Sequence, residues 1–185
     1  MGADHLTSDR FAIRALSADD ARSRIGQLSD VLIDCVEGGA SVSFMAPLAR
    51  DKADRFWRQT ADAVGAGDRL LIVAEDPATG EIVGTVTVIL ALPENQPHRG
   101  EIAKMLVKRS ARRHGLGAAL MRGAEAAART AGKTVLVLDT VTGGDAERLY
   151  QRLGWIRVGE IPNFALMPDG RLTATTFFYR EFPTP

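Results

Sequence analysis

The stretch that most constrains the fold lies near the middle of the chain. Glu101-Ile-Ala-Lys-Met-Leu-Val107 is followed by a basic segment, Lys108 to Ala111, then by Arg112-Arg-His-Gly-Leu-Gly117 and an Ala-rich run that Gly132 stops. This reads as a strand, a glycine-containing turn and a helix from Leu116 to Ala131. The first amides of such a helix have no intrahelical acceptors, and Gly115 and Gly117, lacking a Cβ, let phosphate oxygens approach them closely. Arg112, Arg113 and Lys108 add cations that can donate charge-assisted bonds. The segment therefore suits a pyrophosphate; read blandly, it is a basic loop with ordinary turn glycines. Three glycines at Gly-x-Gly-x-x-Gly spacing are absent, as is a Gly-Lys-Ser/Thr loop, which removes support for a dinucleotide fold and for nucleotide hydrolysis.

The rest of the chain arranges itself around this unit. Phe11 to Ala15 is expected as a strand, and Ser17 as the cap of a helix reaching about Val36, with Asp19 and Asp20 at the positive end of its dipole. Gly38 and Gly39 break that helix, and Ala40 to Met45 is a loop that either faces substrate or merely connects. Pro47 is expected to open a second helix carrying Leu48, Ala53, Phe56, Trp57 and Val64. Arg69 to Glu75 and Glu81 to Leu92 form a hairpin around Asp76-Pro-Ala-Thr-Gly80. Val135 to Asp139 returns as a strand, Asp145 caps a helix ending at Gly154, and Trp155 to Glu160 and Thr173 to Phe182 complete the sheet around a Pro168-Asp-Gly170 turn. With 185 residues, 45% of them hydrophobic, one domain over 1–185 is expected, Met1 to Arg10 forming a flexible tail.

Twenty-three basic residues offset twenty-three acidic ones, so the global field gives no argument for a nucleic acid or an anionic membrane as partner. Ile82 to Leu92 is too short to span a bilayer, and the polar amino terminus lacks an export profile; both favour the cytoplasm. Cys35 stands alone, which excludes an internal disulfide and suggests a buried, inert thiol. His5 and His98 have no companions at ligand spacing, so no metal is expected. No Gly-x-Ser-x-Gly elbow occurs, which disfavours a covalent acyl-enzyme.

Met105-Leu-Val107, Arg112-x-x-Gly115-x-Gly117 and Leu149-Tyr150-x-x-Leu153-Gly154-Trp155 occur in the order and spacing of the GNAT acetyltransferases, which the chain resembles over most of its length. Gly38 to Met45, Leu138-Asp-Thr140 and Pro168 to Leu172 are similar to the tabtoxin-resistance acetyltransferases within that superfamily. The resemblance implies an α/β GNAT fold: a mixed, mostly antiparallel sheet of about seven strands and four helices, with a cofactor cleft between two parallel strands. It implies acetyl-CoA as cosubstrate, its pyrophosphate on Arg112, Arg113, His114, Gly115, Leu116 and Gly117, its pantetheine arm paired with the backbone of Met105, Leu106 and Val107. Many relatives carry an Asn seven residues before the motif tyrosine where this chain has Gly143, with Thr142 and Asp145 as nearby substitutes, and Gly143 is left out of the binding set.

Acyl transfer to an alkylamine needs a neutral nucleophile, yet such an amine has a pKa near ~10.4, so something must take a proton. Glu101, at a position resembling the base-bearing site of several family members, and Asp139, ending the adjacent parallel strand, are the candidates. Either acts as base through a water, holds the substrate ammonium by charge, or is a solvated strand-end residue. Tyr150, at the family's Leu-Tyr position, is the expected proton donor to the departing thiolate; otherwise it is a core residue with a satisfied hydroxyl. Trp57 is expected in the core, while Phe44, Met45, Asn163, Phe164 and Arg171 are candidates for an acceptor pocket. The implied acceptor is a primary amine of a small molecule; the alternatives are a protein amino terminus as acceptor or a non-catalytic acyl-CoA sensor. Apolar residues on the last strands are suited to a homodimer.

Overall fold

The computed structural model describes residues 11–183, so the expectation for Met1 to Arg10 lies outside the described residues. The elements run β1 (Ala12–Ala15), α1 (Ala18–Ser23), α2 (Ile25–Glu37), α3 (Arg50–Gly65), β2 (Arg69–Glu75), β3 (Ile82–Ile89), β4 (Arg99–Val107), a 3-10 turn (Arg109–Ala111), α4 (Leu116–Thr130), β5 (Val135–Val141), α5 (Asp145–Arg152), β6 (Ile156–Leu166) and β7 (Leu172–Glu181). The strands form a seven-stranded sheet in the order β1-β2-β3-β4-β5-β7-β6. Every neighbouring pair is antiparallel except β4 and β5.

Ser17 caps α1 as expected, accepting from the Asp20 amide at 3.1 Å. The single helix expected up to Val36 is instead broken at Arg24 (φ −118°), which raises the helical segments from four to five. Arg24 sends its guanidinium across to Glu75 and the Gly80 carbonyl, a tie to the β2–β3 turn that no helical period announces. The second helix starts at Arg50 behind Ala49, and Pro47 lies in the preceding loop. Asp145 sits in the first turn of α5 behind a Gly144 cap and pairs with Arg148. β6 runs six residues beyond the expected Glu160, because a bulge between Ile161 and Ala165, with Asn163 at φ 53°, lets pairing with β7 resume.

Helix α4 covers one face of the sheet, burying Leu116, Leu120, Met121, Ala124 and Ala128 against Ile72, Val86, Ile102, Leu136 and Leu138. On the other face α2 and α3 bury Leu28, Leu32, Trp57 and Ala61 against Leu71, Val73, Ile82 and Leu106. Trp57 is fully buried, as its helical spacing predicted. Two features open the site. The parallel strands pair only at Arg99–Glu101 with Val135–Val137, and beyond that register β4 and β5 have no ladder partners in each other. The β4 strand also carries a bulge, because Thr85 faces Leu106 while Thr87 faces Ala103. Lys104 sits in it at φ 51°, and the buried hydroxyls of Thr85 and Thr87 donate to the carbonyls of Lys104 (3.0 Å) and Ala103 (2.9 Å). The extra residue reverses the alternation of the strand. Ile102, Met105 and Val107 pack toward α4, whereas Leu106 belongs to the core on the α2–α3 face.

Candidate active site

The gap between β4 and β5 is a cleft of about 1410 Å³. That exceeds the roughly 300–1,000 Å³ of an ordinary small-molecule pocket, as a long ligand plus an acceptor would require. Its walls include Met105, Leu106, Val107, Arg112, Arg113, Gly115, Leu116 and Gly117 at one end, Glu101 and Asp139 at the other, and Tyr150 between. The structure thus gathers the expected catalytic and cofactor-binding residues except His114, which does not line the cleft. Its imidazole lies edge-on to Phe11 at 6.4 Å and near the Ala111 carbonyl.

At the α4 end, Gly115 takes φ 73°, a conformation that a side chain disfavours. The first α4 amide bonded back to the chain is that of Ala119, to the Gly115 carbonyl at 3.1 Å. Among the described residues the amides of Leu116, Gly117 and Ala118 have no acceptor, which leaves donors aimed at the cleft where the macrodipole is positive. A Cβ on Gly117 would approach Leu149 Cδ2 to 3.0 Å, so a side chain there would displace the Leu149 methyl where α4 passes α5. Arg112 donates from Nε to the Val107 carbonyl (3.1 Å), which holds its guanidinium at the cleft wall. Lys108 is not part of this device, since it pairs with Glu81 away from the cleft. Cys35 is buried with its thiol pushed up by burial, an inert state as expected.

Tyr150 projects from α5 into the α4-side core, where Trp155 and Phe178 pack against its ring at 6.1 Å each. Burial, and then the nearby Asp139 charge, push its phenol well above its ordinary value, so it remains a proton donor. Among the described residues nothing hydrogen-bonds the hydroxyl, although the side chain lines the cleft. Asp139 accepts from the Thr175 hydroxyl at 2.8 Å, and Glu101 lies 3.5 Å from Arg99. Because Glu101 is in register with Val137, Asp139 follows two residues on and projects from the same face of the sheet. Gly143 is outside the cleft: its amide donates to Glu147, while Thr142 bonds Thr176, so neither supplies the polar contact of the missing Asn.

The rim of the cleft beside Phe44 and Phe164 joins distant segments. Ser41 donates to the Leu166 carbonyl (3.1 Å) and the Ala46 amide to the Pro168 carbonyl (3.1 Å). Phe44, Met45 and Phe164 line the cleft there, whereas Asn163 and Arg171 do not. Lys104 was missed by the sequence reading, since a lysine in an apolar strand reads as a surface residue until the bulge turns it. Its Nζ lies 3.2 Å from Ser43 Oγ and 5.6 Å from the Phe56 ring centroid. Ser43, Lys104 and Arg113, all non-glycine residues with positive φ, line this one cleft. Such conformations collect where function over-determines the backbone.

Fold and cleft define the class: a mixed α/β sheet parted at its parallel pair, with amide donors at one end and titratable side chains at the other. The chain belongs to the GNAT acetyltransferase family, whose model matches residues 40–155. An uncharacterized N-acetyltransferase in the hisH-hisA intergenic region of Azospirillum brasilense is 31% identical over 114 residues, covering 60% of this chain and 65% of that relative's length. Among solved structures, yncA, a putative acetyltransferase from Salmonella typhimurium determined with its cofactor acetyl-CoA, superposes with TM-score 0.75 at 19% identity over 95% of both chains. A ribosomal-protein-alanine N-acetyltransferase from Brucella melitensis superposes with TM-score 0.77 at 21% identity, over 92% of this chain and 99% of that one. Among the described residues no group of three or more His, Cys, Asp or Glu side chains could hold a metal, and no helix is long and apolar enough to cross a membrane.

Proposed function

We propose that this protein is a single-domain, acetyl-CoA-dependent N-acetyltransferase acting on a primary amine of a small molecule. The observation that carries the reading is the set of unpartnered amides at the start of α4, opening on the same cleft as Tyr150, Glu101 and Asp139. Acetyl-CoA, when bound, supplies an acetyl thioester. Leu116 to Ala118, with Arg112 and Arg113, hold its diphosphate; Met105 to Val107 offer backbone groups to its arm. Glu101 or Asp139 takes one proton from the acceptor ammonium through a water and passes it to solvent. Tyr150 donates one to the departing thiolate, and the second proton that the nitrogen loses as the amide forms restores it, so ammonium and thioester give amide, thiol and one released proton. Phe44 and Phe164 line the acceptor end of the cleft, and the tabtoxin-like segments support an amino-acid-like toxin or antibiotic as the small amine. Exposed Ile156, Val158, Ile161 and Leu172 on β6 and β7 support a homodimer through that edge, which sedimentation velocity reads directly.

Thiol release from acetyl-CoA, measured against amines, amino acids and peptides beside coenzyme A calorimetry, tests the reading. Turnover with a small amine is expected. Binding without turnover on any acceptor would replace it with a sensor, and turnover on peptides alone with a protein amino-terminal acetyltransferase.

A further inference from the structure

The charges at the acceptor end do not close among themselves. Glu101 has Arg99 at 3.5 Å and Asp139 has the Thr175 hydroxyl. Lys104, by contrast, has the hydroxyl of Ser43 and the face of the Phe56 ring, and among the described residues no carboxylate lies within ion-pairing distance of its ammonium. Burial lowers its pKa, Arg69 acts in the same direction, and Asp139 opposes both. Arg69 is likewise partly desolvated, with Glu101 as its countering charge. A half-buried cation without a counter-ion is costly to maintain, and a ligand anion placed beside it recovers the lost interaction.

Position explains why this cation faces the acceptor. Without the bulge, strict alternation from Ile102 would place Lys104 on the α4 face; the added residue moves it to the face of Glu101 and Asp139. Two buried threonines hold the bulge carbonyls, and Lys104 keeps a left-handed conformation that only supporting contacts maintain. Its ammonium is tethered to the α2–α3 loop, on the side of the cleft away from the amide donors of α4. Lys104 therefore sits with the acceptor and not with the diphosphate.

Resting on the acetyltransferase reading above, we infer that Lys104 and the Ser43 hydroxyl form an anion subsite, so that the acceptor is an amine that also carries a carboxylate. Lys104 pairs with that carboxylate while Glu101 and Asp139 face the ammonium. The two ends of a zwitterion are thereby told apart, and the attacking nitrogen is turned toward the thioester. Lys104 acts as a specificity residue: it touches the acceptor and takes no part in proton transfer.

The test compares a series of free amino acids with their carboxamides, together with simple alkylamines, as acceptors for wild type, Lys104→Met and Lys104→Arg. For wild type, kcat/KM for the acid is expected to exceed that for the matching carboxamide by about 10–100-fold, the scale of one charge-assisted bond. In Lys104→Met the gap should close through a raised KM for the acids, with a much smaller change for the carboxamides and no change in coenzyme A affinity; Lys104→Arg should restore much of it. A gap that survives in Lys104→Met, or an equal loss on acids and carboxamides, overturns the subsite. Turnover confined to alkylamines overturns it while leaving the acetyltransferase standing, and absence of turnover on every amine overturns both.

Discussion

Removing one oxygen from Tyr150 separates chemistry from architecture. In Tyr150→Phe the ring keeps its packing against Trp155 and Phe178, and among the described residues no hydrogen bond is lost. Stability should therefore move by less than ~0.5 kcal/mol, the scale of substitutions that break no named interaction. Turnover should respond differently. Burial and Asp139 raise the phenol from its ordinary 10.0, so wild type carries a proton at this site throughout the neutral range and into alkali. A positioned proton donor accelerates transfer by about 10²–10⁴-fold. The variant should lose that factor in kcat, equivalent to ~2.7–5.4 kcal/mol on the barrier. Steady-state thiol release gives kcat, calorimetry gives the acetyl-CoA Kd, and thermal melting gives stability. Full turnover in the variant refutes the assignment, and a large drop in Tm refutes the claim that the hydroxyl is structurally idle.

Three further outcomes are expected. Gly115→Ala meets no atom within 4 Å but must hold φ 73°, so stability should fall by about 1 kcal/mol and coenzyme A affinity with it; an unchanged melting curve and Kd would show that the loop needs no left-handed residue. Glu101→Gln and Asp139→Asn separate the two candidate bases, because the acid limb of the kcat/KM profile should disappear in one alone, with a loss of about 10²-fold or more; a normal limb in both excludes a carboxylate base. Glu125, which accepts from Trp155 (2.9 Å) and Arg180 (3.0 Å), has its carboxyl raised chiefly by burial. Its folded form thus keeps a proton that the unfolded chain loses near 4.5, so this contribution is full below that pH and is lost as pH rises through the folded value. Denaturant unfolding of Glu125→Gln across that window should lack this fall, and an identical slope to wild type contradicts it.

The strand–turn–helix unit was legible because its signals are local. Gly115 is left-handed and Leu116 begins a helix for reasons carried by the neighbouring residues themselves. The nearness of Glu101 and Asp139 was also within reach, since one lies near the start of a strand and the other near the end of the adjacent parallel strand. What escaped depended on distant partners. Arg24 breaks its helix to reach Glu75, 51 residues away, and Lys108 leaves the phosphate loop for Glu81. Lys104 depended on a bulge fixed by hydroxyls from β3, and His114 on Phe11, a residue from the far end of the described chain. Pattern along a strand assigns faces only while the pleat is unbroken.

The clasp between Ser41 and Leu166 joins residues 125 positions apart, and the Ala46–Pro168 bond repeats it nearby. On the proposed reading, acceptor choice is a joint property of an early loop and a late hairpin, neither of which carries the fold's central strands. Grafting one of them from a homologue should break the clasp before it transfers a preference. Exchanging the two together is the smallest change that could re-aim this enzyme at another amine.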